Sequence, residues 1–406
     1  MNRLFVWVQL GDGEIRLAGE LATTPILANG RFESEFEYTQ QWDATGFPLD
    51  PQSLPLKTLG RRFAAELFYP PLAVFDDALP DDWGRSLLAA AIKLEGRKPS
   101  PPEMLLHMRG GGTGALLFTA TSESPRPANT VQATSLGELL DAAEKFEAGT
   151  LPLDDEFRRL VEGSSRAGGA RPKALVHDAS GEWLVKFPSA RDSGLDVVAL
   201  EAVCLVLATR AGLKTPESRL TQVGRRRVLM VRRFDVTPHS GRVHMVSLRT
   251  LCLERPGVYA QGYSDLERAV RRHSASPVVD VATLFRHMVF NAAIGNVDDH
   301  LKNFWMLTSG KGYRLAPAFD LVPDISGRVE HTLAFHASFK CPGKADLMTL
   351  AGLWQVDEAE EIIKQVAAVA GDFDSVQREF KVGGGEGLQT ISADIKRRVK
   401  AILALT

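Results

Sequence analysis

Asp298-Asp299-His300-Leu301-Lys302-Asn303 holds an aspartate and an asparagine five residues apart, and Asp320 follows downstream. In phosphoryl transfer, D-x-x-x-x-N is the offset of a loop whose aspartate orients the attacking hydroxyl and whose asparagine holds a metal ion. Phe304 to Leu307 is apolar, Thr308-Ser309-Gly310-Lys311-Gly312 is turn chemistry, and Tyr313 to Leu321 is a second apolar run. That order reads as strand, turn, strand. Such a hairpin folds Asp320 back beside Asn303, so that two oxygen ligands converge on one Mg²⁺, a hard cation that takes oxygen donors. Lys302 supplies a charge suited to neutralising a phosphoryl group. His300 is read as a hydrogen-bonding residue of the loop rather than a base. Asn and Asp are also ordinary turn residues, because their side chains bond nearby backbone. The hexamer carries weight only if further parts of a phosphotransferase occur in order.

Those parts occur upstream. Gly163-Ser164-Ser165-Arg166-Ala167-Gly168-Gly169-Ala170-Arg171-Pro172-Lys173 is a Gly/Ser-rich loop, and Lys173–His177 and Glu182–Phe187 flank a turn at Asp178 to Gly181. Glycine lets backbone N–H groups approach an anion, since it lacks Cβ and tolerates positive φ. Pro172 disfavours a helix directly after the loop, which argues against a P-loop NTPase. Lys186 stands inside the apolar strand Trp183-Leu184-Val185-Lys186-Phe187, where a lysine either guards an edge strand or reaches phosphate. A helix follows from about Asp196 to Ala211, with Val197, Leu200, Cys204, Leu207 and Ala211 on its inward stripe. Glu201 sits at the border of that stripe, one turn in, where it can pair with Lys186 or simply face solvent. Val228 to Phe234 is a strand ending in Arg232-Arg233-Phe234-Asp235, a hinge between two lobes. Val281 to Ile294 is a helix that leads into the Asp298 loop.

The first 125 residues mix strands and turns. Leu4 to Leu10 and Ile15 to Leu21 form a hairpin about Gly11-Asp12-Gly13, and Phe32 to Trp42 reads as another strand. Phe75 to Arg85 leads into a helix, Ser86 to Lys93. Gly110 to Gly114 precedes a strand rather than a helix and lacks a following Lys-Ser/Thr, so it reads as a tight turn and not a phosphate loop. Residues 121–134 are rich in Ser, Thr and Pro and read as a linker.

A chain of 406 residues has room for two or three domains, and 44% hydrophobic with 24% charged residues is globular composition. A net charge of −2 gives no electrostatic case for direct nucleic-acid binding. The basic runs Arg225–Arg227 and Lys396–Arg398 read as a turn and a solvated helix face. Cys204, Cys252 and Cys341 are widely spaced and odd in number, which fits a reducing compartment. No apolar run approaches the roughly 18 residues of a membrane span. The N-terminus lacks a signal-peptide layout, so a cytoplasmic location is expected.

In this combination the chain resembles the HipA family, serine/threonine kinase toxins of bacterial toxin–antitoxin pairs. The matching segments are Phe75–Arg85, Ser164–Ala174, Leu184–Pro188, Arg233-Phe234-Asp235, Asn296–Phe304 and Phe319-Asp320. The resemblance implies an α+β, two-lobed kinase-like fold related to protein and phosphoinositide kinases. Its N-terminal lobe is mixed, with 1–125 a first subdomain and 126–238 covering nucleotide; 239–406 is a mostly helical catalytic lobe. It implies ATP and Mg²⁺ as cofactors, Asp298 as catalytic base assisted by Lys302, and Asn303 and Asp320 as metal ligands. Ser165, Arg166, Gly168, Gly169, Lys186, Glu201, Arg232, Phe234, His300, Asn303 and Asp320 belong to the nucleotide site. Ser165, with Ser164 beside it, matches the serine that members autophosphorylate, a modification that adds about two negative charges beside the triphosphate. The implied partners are a protein with a serine acceptor, such as an aminoacyl-tRNA synthetase, and a small helix-turn-helix antitoxin that carries the DNA contact. Two departures stand out: a short strand pair after Gly169, and Asp at position 299 where some members carry Gly. Two other classes share parts of the pattern, a non-catalytic kinase-like module and a small-molecule phosphotransferase.

Overall fold

The computed structural model describes residues 2–108, 111–126, 131–152, 154–164, 171–192, 194–253 and 262–404. The chain forms two compact units that interleave in sequence: Met1–Ser189 with Arg232–Val258, and Ala190–Val231 with Tyr259–Thr406. The expected segments 1–125, 126–238 and 239–406 are consecutive. Contacts group Ala190–Val231, which contains the Glu201 helix, with the C-terminal residues.

The first unit opens with a five-stranded antiparallel sheet. Its strands are β1 (Asn2–Gln9), β2 (Ile15–Thr23), β3 (Glu33–Tyr38), β4 (Arg62–Glu66) and β5 (Leu116–Thr119), in the order β4-β3-β2-β1-β5. The expected hairpin forms, pairing Asn2 with Thr23 and Gln9 with Ile15. Period-two alternation turns Leu21, Phe36, Tyr38 and Phe63 inward, where Phe36 meets Tyr38 and Phe75 edge-on or tilted. Gly19 is required by close approach: a Cβ there would lie 2.4 Å from the Glu37 carbonyl. The strand expected through Trp42 stops at Tyr38. Thr39 caps a helix, Gln40–Thr45, by accepting from the Trp42 amide at 3.1 Å, so local capping overrides the apolar run.

The same unit holds β6 (Val131–Gln132), β7 (Lys173–Asp178) and β8 (Gly181–Lys186). β7 and β8 form the expected hairpin, with Asp178 Oδ1 accepting from the amides of Ser180 and Gly181 in an Asx-type turn. The short strand β11 (Met245–Ser247) is fastened by Asp77, which accepts from the Ser247 amide (2.9 Å) and hydroxyl (2.7 Å). The predicted hinge residues form a buried clamp. Arg233 donates to both oxygens of Asp235 (3.0 and 2.6 Å), to Glu182 and to the Gly112 carbonyl, while Asp235 accepts from the Gly114 amide. A carboxylate thus takes the amide that a phosphate would need, which makes residues 111–114 a structural turn. Burial raises the Asp235 pKa, but Arg233 and Arg242 outweigh it and hold the carboxyl below its ordinary range.

In the second unit, β9 (Ser218–Val223) and β10 (Arg226–Arg232) pair as a hairpin, and the helix Val197–Arg210 is capped by Asp196. The centre is the helix Pro277–Ile294, mostly apolar and buried on several faces. It packs against Tyr263–His273, Ala359–Gly371 and Gly385–Leu403. At its start Asp280 receives a forked pair from Arg314 (2.9 and 2.9 Å) and the Leu315 amide (3.0 Å). That fork pins the hairpin of β12 (Trp305–Ser309) and β13 (Gly312–Leu315) to the helix. Among the described residues no helix is long and apolar enough to cross a membrane.

Candidate active site

The helix Pro277–Ile294 ends at Gly295, whose φ of 71° is left-handed, and the Asn296 amide returns to the Asn291 carbonyl at 3.0 Å. This stop reverses the chain into the Asp298 loop. Only glycine suits it, on two grounds: an L-residue is strained at that φ, and a Cβ would come 2.9 Å from Arg398 Nε. Gly295→Ala is expected to destabilise the protein by about 1–2 kcal/mol from backbone strain alone. Denaturant titration checks it.

Asp298 and Asp299 point opposite ways. Asp298 is exposed, its side chain 64% accessible, with Arg328 Nη2 3.4 Å from its Oδ1. Asp299 is fully buried and accepts four hydrogen bonds. They come from the Tyr263 hydroxyl (2.6 Å), His331 Nδ1 (3.0 Å), and the Thr332 (2.8 Å) and Leu333 (3.3 Å) amides. Burial and the adjacent carboxylate push the Tyr263 phenol well above its ordinary pKa, so it remains a donor. Asn291 donates to the same phenol at 3.0 Å and accepts from Asn296 at 3.1 Å. The Asp299 charge is consumed inside the fold, where it fixes the loop that presents Asp298.

Asn303 closes the loop. Its Nδ2 donates to the Asp298 carbonyl at 2.7 Å, which commits the amide nitrogen and leaves the oxygen as the donor to a cation. The expected hairpin forms, pairing Met306 with Leu315 and Ser309 with Gly312, and the Ala316 amide reaches the Trp305 carbonyl at 2.8 Å. Asn303 thus enters and the Asp320 segment leaves at the same end of the hairpin. Asp320 has φ 57°, a conformation that Asp tolerates better than most residues. His300 caps a short turn, Leu301–Asn303, whose Asn303 amide returns to the His300 carbonyl at 2.9 Å, and Lys302 lies within it.

In the first unit Lys186 is buried on β8, and the β7–β8 register sets Lys173, also buried, directly opposite it. Residues facing each other across strands share a face, so both lysines present to the same side of the sheet. Arg232 stacks on Trp183, its guanidinium 4.4 Å from the ring, and donates to the Ser180 carbonyl. Phe234 is half-buried beside the Arg233 clamp. Glu201, in the second unit, is buried rather than facing solvent. Ser164 is the fully buried last residue of the helix Asp155–Ser164, its hydroxyl without a partner among the described residues. Ser165, Arg166, Gly168 and Gly169 lie outside the described residues.

Sequence reading missed Lys173, Arg328, His331 and Arg398. Lys173 was detectable as a lysine entering an apolar strand. Arg328 and His331 lie in a segment without periodicity, and Arg398 belongs to a basic run read as solvated, although it is buried. Among the described residues no group of three His, Cys, Asp or Glu side chains is placed to hold a metal. An Asn–Asp pair that shares Mg²⁺ with phosphate oxygens does not need one.

The HipA-like C-terminal domain family matches residues 165–373, over half of the chain. The chain belongs to the HipA-like family. The matched span contains Lys173, Lys186, the Asp298 loop and Asp320. Two proteins of Sinorhizobium fredii named as candidate kinases are similar to it: Y4dM, 27% identical over 88% of this chain and 90% of its own length, and Y4mE, 28% identical over 72% and 74%. Among solved structures, HipA of Shewanella oneidensis, determined in complex with HipB and operator DNA, superposes with a TM-score of 0.68. It covers 98% of this chain and 97% of its own at 19% identity. At that identity the likeness concerns the fold, a mixed α/β architecture of the HipA kinase type.

Proposed function

We propose that this HipA-like chain is an ATP- and Mg²⁺-dependent protein serine/threonine kinase that acts as a growth-arresting toxin. The observation that carries the reading is the split between adjacent aspartates: Asp299 and Asn303 anchor a loop from which Asp298, unlike Asp299, reaches solvent. An exposed carboxylate on an over-determined loop is what a base that orients a serine hydroxyl requires. Asp298 would take the hydroxyl proton, Lys302 would neutralise phosphoryl charge, and Asn303 and Asp320 would hold Mg²⁺, which when bound offsets the charge of the phosphates. Lys186 and Lys173 would draw the nucleotide phosphates, with Arg166, Gly168 and Gly169 covering them and Arg232, Phe234, Glu201 and His300 completing the site. Ser165 is the expected site of autophosphorylation. Ser164, whose hydroxyl is fully buried, is the second expected site. The partners are a cytoplasmic protein bearing an acceptor serine, an aminoacyl-tRNA synthetase among the expected ones, and a helix-turn-helix antitoxin. The likeness to a HipA solved with HipB supports the antitoxin.

Intact mass and phosphopeptide mapping after incubation with Mg-ATP test the reading. Phosphate on Ser165 in the wild type and none in Asp298→Asn is the expected result. ATP consumption with phosphate only on a soluble acceptor would turn the reading into a small-molecule phosphotransferase. The absence of both nucleotide binding and phosphate would make it a non-catalytic module.

A further inference from the structure

The last helix, Gly385–Leu403, sends Arg398 into the interior of the second unit, where it is 3% exposed. Its Nε meets Asp394 Oδ2 at 2.5 Å, one turn back on the same helix, and its Nη1 lies 3.2 Å from His331 Nε2. Guanidinium nitrogens only donate, so Nε2 must accept, and the His331 proton is confined to Nδ1. Nδ1 in turn donates to Asp299 at 3.0 Å. The chain Arg398–His331–Asp299 therefore has one direction of donation and one histidine tautomer. The same guanidinium also overlies Gly295, the residue that turns the chain into the loop.

The start of this helix is tied elsewhere in the unit. The Asp196 amide donates to the Gly383 carbonyl at 3.1 Å, and Arg227, paired with Asp196, donates to the carbonyls of Phe380 (2.7 Å) and Lys381 (3.0 Å). Asp196 is the cap of the helix that carries Glu201. From Gly385 to Arg398 is 13 residues, about 20 Å of helix at 1.5 Å per residue. The residues just before the helix thus meet the cap of the Glu201 helix, and the helix itself carries the brace of the Asp298 loop.

A buried arginine is costly, and an apolar residue of similar volume would often serve stability as well. Its place between Asp394 and His331 is explained by position rather than by stability. We infer that Arg398 is a positioning residue, which sets the geometry of the Asp298 loop through His331 and Asp299 and so makes the C-terminal helix part of the catalytic apparatus. The consequence for catalysis rests on the kinase reading; the mechanical coupling does not.

The test compares Arg398→Gln and His331→Asn with Arg397→Gln. Arg397 pairs with the same Asp394 but is exposed. Hydrogen exchange of the 296–303 amides should speed about tenfold in the first two variants and stay unchanged in the third, with the helix 277–294 protected in all. Phosphoryl transfer should show kcat lowered about 10- to 100-fold with KM for ATP within about twofold, because a misplaced catalytic group costs turnover more than binding. Combining Arg398→Gln with Asp299→Asn should cost little more than either alone. Unchanged exchange in 296–303, or activity lost only in proportion to unfolded protein, would overturn the inference. If the wild type transfers no phosphate, the kinase reading fails by itself, and the exchange comparison still decides the coupling. His331→Asn keeps a donor toward Asp299, so it decides the matter should Arg398→Gln fail to fold.

Discussion

Asp298→Asn is expected to lower phosphoryl transfer by about a thousandfold while the protein stays folded, the scale lost with a general base. The carboxylate is exposed, and its recorded ion pair is with Arg328 at 3.4 Å, itself half-exposed. Such surface pairs contribute at most about 1 kcal/mol, so the melting temperature should move by no more than roughly 4 °C. Asparagine keeps the shape and can still accept a hydrogen bond, but it cannot take the proton of an attacking serine. ATP affinity should persist, since the expected phosphate contacts lie on other residues. Turnover of Mg-ATP together with a thermal scan checks both halves. Full activity in a folded Asp298→Asn protein would remove the base from Asp298.

Asp299→Ala, one residue on, is expected to do the reverse and unfold before it informs on chemistry. It removes the acceptor for a phenol, an imidazole and two amides, all inside the second unit. Arg398 holds His331 in the tautomer that donates from Nδ1, so the histidine cannot relieve the loss by moving its proton. Removing one member of such a buried polar set costs about 3–5 kcal/mol, equivalent to a fall of roughly 10 °C for a unit of this size. Urea titration should show the midpoint falling with little change in slope, the mark of altered stability rather than altered denatured state. If Asp299→Ala were as stable as wild type but inactive, Asp299 would belong to the reaction and not to its scaffold.

The local elements of the site were legible along the chain. The D-x-x-x-x-N offset, the hairpin that follows it, the β7–β8 hairpin with Lys186 and the helix capped by Asp196 all rest on turn chemistry and periodicity. Those signals act over a few residues and survive folding unchanged. Misreadings arose where a neighbour distant in sequence decides the outcome. Arg398 looked solvated because its run is basic, yet the packing of its helix turns it toward Gly295 and His331. For Arg233-Phe234-Asp235 the sequence marks only a join between lobes, and its clamp to Glu182 and the turn at 112–114 is supplied by the fold.

The adjacent aspartates make the division plain. Sequence determined that a carboxylate pair would stand on a loop between a helix and a hairpin. Which of the two faces solvent and which is buried as a brace was decided by Tyr263, His331 and Arg398, residues 32 to 99 positions from Asp299 in the chain. Burial is a property of what lies across from a side chain, and only the tertiary fold supplies that.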